Sequence, residues 1–195
     1  MNNSLQEYVN FANKLADVAG ITSMEYFRTS LDIDNKSDES PVTIADKNTE
    51  LKIRSMIEKE YPNHGILGEE FDSINPNAEF IWVIDPIDGT RSYIAGHKDF
   101  GNLISLTQNK KPIIGIINCP AHEERWVGVK NEHSTINKQV AKSSSITKIK
   151  DDNSSEILFN FMTIKFGKIN KLNCIYLARK YPRPKIYNIP NKRHT

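Results

Sequence analysis

Cysteine is almost missing from this chain: Cys119 and Cys174 are the only two, too few and too far apart for a disulfide framework or a zinc site. No apolar run approaches the roughly 18 residues of a membrane span. The N-terminus, MNNSLQEYVN, lacks the basic cluster and apolar stretch of a signal peptide, so the chain reads as cytoplasmic with no membrane partner. Internal repeats and low-complexity tracts are also missing. Acidic residues are absent from the last part: residues 161–195 hold nine Lys/Arg and no Asp or Glu, whereas residues 1–160 hold seventeen Lys/Arg against all 24 Asp/Glu. A change this sharp marks either a basic tail that touches an acidic partner or a segment of different origin.

What remains is ordinary for a globular protein. With 195 residues, 38% hydrophobic and 26% charged, the chain suffices for one sizeable domain, or one and a fraction. Leu5, Tyr8, Val9, Ala12, Leu15, Ala16, Ala19, Met24 and Phe27 recur at three- and four-residue steps, which predicts an amphipathic helix with Ser4 as its N-cap. The polar NKSDESPV segment reads as a loop. Thr43 and Asp46 then form a capping-box pattern opening a second helix, with Leu51, Ile53, Met56 and Ile57 as its apolar face and YPNHG as its end. Residues 81–84, 103–107, 112–118 and 125–129 are short, apolar and β-branched, and connectors such as QNKK and NCPAHEE separate them. Such short connectors favour antiparallel neighbours, so the expected class is α+β, helices packed on an antiparallel β-sheet. A further strand is expected at 156–161. The proline-broken 167–195 receives no element and reads as a tail.

The chemistry concentrates in IWVIDPIDGTRSY, residues 81–93, where an apolar strand ends in two carboxylates. Asp46, Glu69, Glu70, Asp85 and Asp88 are the candidate acids. Carboxylates that converge in a partly buried site repel one another unless a cation is present, and Mg2+ takes oxygen ligands of this kind. Pro86 fixes its own φ, so a tight turn is expected to aim Asp85, Asp88 and one carbonyl at a common point. Gly89 admits a close approach of backbone to ligand, and a helix starting at Thr90 would offer N–H groups to phosphate. Each acid has a plainer reading when taken alone: Asp46 as a helix cap, Glu69 and Glu70 as a solvated turn, Asp85 and Asp88 as a type I turn. A calcium loop is excluded, because with Gly89 sixth the first and twelfth positions are Ile84 and Ala95. His97, His122 and His133 read as surface or structural residues.

SPVTIAD, HGILGEEF and WVIDPIDGTRSYIAG, in that order, resemble the inositol monophosphatase superfamily of Mg2+-dependent, lithium-sensitive phosphatases over residues 5–166. GHKDFGNLISL, KPIIGIINCP and HEERWVG are similar to its histidinol-phosphate phosphatase branch. The resemblance implies a first domain over residues 1–150 of a layered αβαβα fold. It implies that Glu69, Asp85 and the Ile87 carbonyl hold one Mg2+, with Asp85 bridging to a second on Asp88. Thr90 and Glu69 would orient the attacking water, Glu70 and Asp46 would act around them or at a third, weaker metal, and the Gly89 and Thr90 amides would hold the phosphate. The implied reaction is hydrolysis of a small phosphorylated metabolite, histidinol phosphate first and inositol monophosphate as the alternative, in a homodimeric family.

The family pattern stops after Phe166. Residues 151–166 match only the first strand of a second domain, and the W/Y-D-x-A-A aspartate that completes the second metal site has no counterpart. A truncated or frame-shifted chain with impaired turnover is the expectation from this. Two rival functions follow: a non-catalytic fragment that pairs with a complete subunit, or a polyanion binder using the basic tail with Tyr176, Tyr181 and Tyr187. No RNA-binding motif surrounds those tyrosines, which disfavours nucleic acid.

Overall fold

A computed structural model describes residues 3–29, 33–35 and 41–141. The expected strand at 156–161, the 151–166 segment and the 167–195 tail lie outside the described residues.

Two helices cover one face of a sheet. Helix α1, Asn3–Tyr26, follows the expected periodicity and turns Ala12, Leu15, Ala16 and Ala19 fully inward; its start at Asn3 puts Ser4 within the helix, not at its cap. A two-stranded antiparallel ribbon follows, β1 (Ile33–Asn35) with β2 (Pro41–Thr43), where the sequence suggested only loop. Helix α2, Ile44–Glu60, opens with the predicted capping box and ends at Tyr61. Its buried face differs from the expected one. Leu51 is 49% exposed, whereas Asp46, Thr49, Glu50 and Arg54 are buried beside Ile53 and Ile57. Apolar periodicity cannot register a face whose charged members satisfy one another internally.

Among the described residues the main sheet has seven strands in sequence order: β3 (Gly65–Leu67), β4 (Phe80–Asp88), β5 (Gly101–Gln108), β6 (Lys111–Cys119), β7 (Glu124–Val129), β8 (Thr135–Ile136) and β9 (Gln139–Val140). The expected antiparallel pairing holds from β4 to β7 and continues into β8 and β9, which the sequence does not mark, but β3 runs parallel to β4, so the sheet is mixed. A short helix α3, Thr90–Ile94, leaves β4, and one 3-10 turn, Pro120–His122, joins β6 to β7. The QNKK connector is a two-residue hairpin with Asn109 and Lys110 both at positive φ, which matches the twist of the flanking strands.

Trp82, Ile84, Ile104, Leu106, Ile114 and Ile116 meet the inward residues of α1 and α2 in the main core. Each such side chain contributes about 1.5–3 kcal/mol on burial. A second cluster of Ala45, Ile87, Tyr93 and Phe100 ties the starts of α2 and α3 to the end of β4.

Candidate active site at the end of strand β4

Residues of β4 alternate between the two sheet faces until Asp85. Trp82 and Ile84 point toward the helices, and their partners Leu106 and Ile104 do the same. Asp85 therefore shares the opposite face with its partner Leu103. In a regular strand Asp88, three residues on, would return to the helix face. The register instead slips by one: Asp85 pairs with Leu103 and Asp88 with Gly101, so three steps on β4 match two on β5. This β-bulge at Pro86–Ile87 absorbs the extra residue and sets both carboxylates on the face turned away from the helices. The expected tight turn is corrected by it: D-P-I-D stays within the strand and is bent by a bulge.

Side chains secure the two bulge carbonyls. Fully buried Asn102 donates to Pro86 O at 2.7 Å, and the Thr90 hydroxyl donates to Ile87 O at 3.1 Å. Asn102 also donates to Ser23 Oγ of α1 at 3.2 Å and accepts from Asn118 Nδ2 at 2.8 Å, so the kink is tied to the core. Gly89 next adopts φ +87°, and a Cβ there would meet Asp99 O at 2.9 Å, which reserves the position for glycine. Helix α3 begins at Thr90 as expected and is held down by Tyr93, whose hydroxyl donates to Ser23 O at 2.6 Å. Burial and the nearby Asp46 carboxylate push the Tyr93 hydroxyl well above its ordinary pKa, so it stays a neutral donor.

Asp46 is 1% exposed and caps α2, its carboxylate accepting from the Thr43 amide at 2.8 Å and from the Thr43 hydroxyl at 2.6 Å. The neighbouring Ala45 packs on Ile87, which brings this helix start to the bulge. Glu69 and Glu70 follow β3. Because β3 pairs in parallel with β4, Leu67 opposite Val83, the chain leaves β3 toward the same end at which β4 presents Asp85. Their amides, at 3.0 and 2.8 Å, both donate to Glu50 Oε2. Glu50 and its partner Arg54 went unnoticed in the sequence; the Glu-x-x-x-Arg spacing was the available signal.

Among the described residues no three His, Cys, Asp or Glu side chains form a group placed to hold a metal ion. The chemistry of the donor set still suits a hard divalent cation: carboxylates from β4 and the β3 turn, and the Ile87 carbonyl, are all oxygen. His122 sits outside this set, its Nε2 at 3.1 Å from Asp99. A groove of about 1320 Å3 between α1 and the β7–β9 end is lined by Asn13, Asp17, Ile21 and Arg125, on the helix side of the sheet and apart from the acids. No helix among the described residues is long and apolar enough to cross a membrane.

The chain is similar to known proteins in sequence and in fold. The chain is 40% identical over 147 residues to the chloroplastic bifunctional phosphatase IMPL2 of Arabidopsis thaliana, covering 74% of this chain and 42% of that one. It is 36% identical to a histidinol-phosphatase of Chlorobaculum parvum over 77% of this chain and 58% of the relative. An inositol monophosphatase structure from Zymomonas mobilis superposes with a TM-score of 0.63 at 44% identity, covering 74% of this chain and 55% of that chain. The chain thus spans about half the length of the relatives it matches. The family model for the inositol monophosphatase family matches residues 4–165, and the chain belongs to that family.

Proposed function

We propose that the protein is a Mg2+-dependent phosphomonoesterase that hydrolyses histidinol phosphate to histidinol and phosphate, with inositol monophosphate as the alternative substrate. The observation that carries this reading is the β4 bulge, which sets Asp85 and Asp88 on one sheet face with the Ile87 carbonyl and Thr90 hydroxyl between and beside them. Support for histidinol phosphate comes from the relatives named histidinol-phosphatase, and support for the alternative from those named inositol monophosphatase.

Glu69, Asp85 and the Ile87 carbonyl would hold one Mg2+, and Asp85 and Asp88 a second. Bound there, the ions would polarise the phosphoryl group, lower the pKa of water and neutralise the departing alkoxide. The chain's own groups do the positioning. Thr90 commits its proton to Ile87 O, so it meets a water molecule as an acceptor and, with Glu69, orients it for in-line attack. The Gly89 and Thr90 amides face the phosphate. Helix α3 has only five residues, so these individual N–H groups matter more than any dipole. Asp46 and Glu70 shape the surrounding field, and buried Asp46 keeps its capping bonds meanwhile.

Phosphate release from histidinol phosphate, measured with and without Mg2+, tests the reading. The expected result is release that requires Mg2+, is inhibited by Li+ and is lost in Asp85→Asn. Release that survives both chelation and Asp85→Asn would overturn it. A higher kcat/KM for inositol monophosphate would transfer the activity to the alternative substrate.

A further inference from the structure

Glu50 lies on α2, outside the sequence motifs that carry the candidate acids, yet it is fully buried. Its two oxygens divide their work. Oε1 accepts from Arg54 Nε at 2.7 Å, one helical turn on. Oε2 accepts from the backbone amides of Glu69 and Glu70 at 3.0 and 2.8 Å. Arg54, 6% exposed, reaches further along the same turn and donates from a terminal nitrogen to Phe71 O at 2.9 Å, with its guanidinium 5.7 Å from the Phe71 ring centre. A Cβ at Gly68 would lie 1.8 Å from Glu50 Oε1 and 2.7 Å from the Arg54 guanidinium, so the turn is pressed against the pair with no room for a side chain. Residues 68–71 are therefore clamped through their backbone, which fixes the base from which the side chains of Glu69 and Glu70 start.

We propose that Glu50 is a positioning residue: through the Glu69 and Glu70 amides it sets where those carboxylates stand relative to Asp85, and thereby how tightly the site holds a divalent ion. This rests on the phosphatase reading above. One carboxylate oxygen accepting two consecutive amides is a short, charge-assisted arrangement that a neutral amide reproduces poorly. In Glu50→Gln the side chain has one acceptor oxygen; aimed at the turn, it presents its NH2 group to the Arg54 donor, and reversed, it presents that group to the two amides. Either way one side of the clamp opens. Groups that orient ion ligands from behind change ion affinity by about 10–100-fold when replaced.

Two measurements on the full chain test this. Amide hydrogen exchange on the Mg2+-free protein should show Glu69 and Glu70 exchanging at least about 10-fold faster in Glu50→Gln, with Ile116 in the sheet centre unchanged. The Mg2+ concentration for half-maximal phosphate release should rise about 10–100-fold in the same variant, while kcat at saturating Mg2+ falls much less. A merely structural Glu50 would lower stability without this split. Unchanged exchange at Glu69 and Glu70, or an unchanged Mg2+ requirement, overturns the proposal. Failure of the unmodified chain to respond to Mg2+ would instead overturn the phosphatase reading beneath it, and the positioning role with it. If Glu50→Gln does not fold, Arg54→Lys keeps the charge and loses the forked reach to Phe71 O; it is expected to move both readouts in the same direction by a smaller factor, and no movement overturns the proposal.

Discussion

The carboxylate of Glu50 and the amide of Glu70, twenty residues apart, meet at 2.8 Å beneath the candidate site. That bond depends on Arg54, which holds the other carboxylate oxygen at 2.7 Å with both side chains almost wholly buried. Arg54→Met would leave a buried carboxylate without its cation. The expected loss is about 3–5 kcal/mol in urea-induced unfolding. The double variant Glu50→Gln/Arg54→Met should recover part of it, because no uncompensated charge then remains. A loss under about 1 kcal/mol for the single variant would show the pair to be better solvated than its burial implies.

Backbone geometry makes Gly89 hard to replace. Gly89→Ala combines a left-handed residue, which costs about 1–2 kcal/mol for an L side chain, with a Cβ 2.9 Å from Asp99 O. Lower thermal stability and weaker phosphate binding are expected together, the latter read by 31P NMR titration. Retention of both would mean that the segment around Asp99 yields freely.

Asn102 is the fastener of the bulge. Asn102→Ala removes the donor to Pro86 O and leaves the buried Asn118 amide with Ala16 O in place of its two acceptors, for an expected loss of about 1–3 kcal/mol in chemical denaturation. A neutral outcome would mean that the strand holds its kink unaided.

How far these features were legible in the sequence varies with their physics. The α1 stripe, the capping box, the strands from β4 to β7 and the acids around Pro86 could be read, since each is a local pattern with a fixed period or spacing. The bulge was not readable as such, because Pro86 and Ile87 look like turn residues until β5 supplies the register. Strand β3 is three residues long and too short for periodicity to mark. Glu50 and Arg54 have the spacing of a surface ion pair, and only the fold shows that the 68–71 turn covers them.

Acid sensitivity should trace to His64. Its Nδ1 accepts from Trp82 Nε1 at 3.2 Å, and its ring stacks on Tyr61 and Phe80. Burial lowers its pKa from the ordinary histidine value, partly offset by Glu79. The fold therefore prefers the neutral ring, and the unfolded chain binds the proton first as pH falls. This group's stabilisation is complete above about pH 6.5 and declines as pH drops below that toward the lowered folded value. Thermal unfolding between pH 8 and pH 5 should show the decline, and 1H NMR of His64 should show a titration shifted to lower pH. A His64 midpoint at or above the ordinary value would reverse the sign.

Mn2+ added at substoichiometric levels to the 15N-labelled chain tests most directly whether the bulged end of β4 is an ion-binding centre, since paramagnetic broadening reports where the ion sits. The prediction is selective loss of the Glu69, Asp85, Ile87, Asp88 and Thr90 amide signals, reversed by excess Mg2+ and absent in Asp85→Asn. Broadening centred elsewhere, or the same pattern in Asp85→Asn, would contradict it.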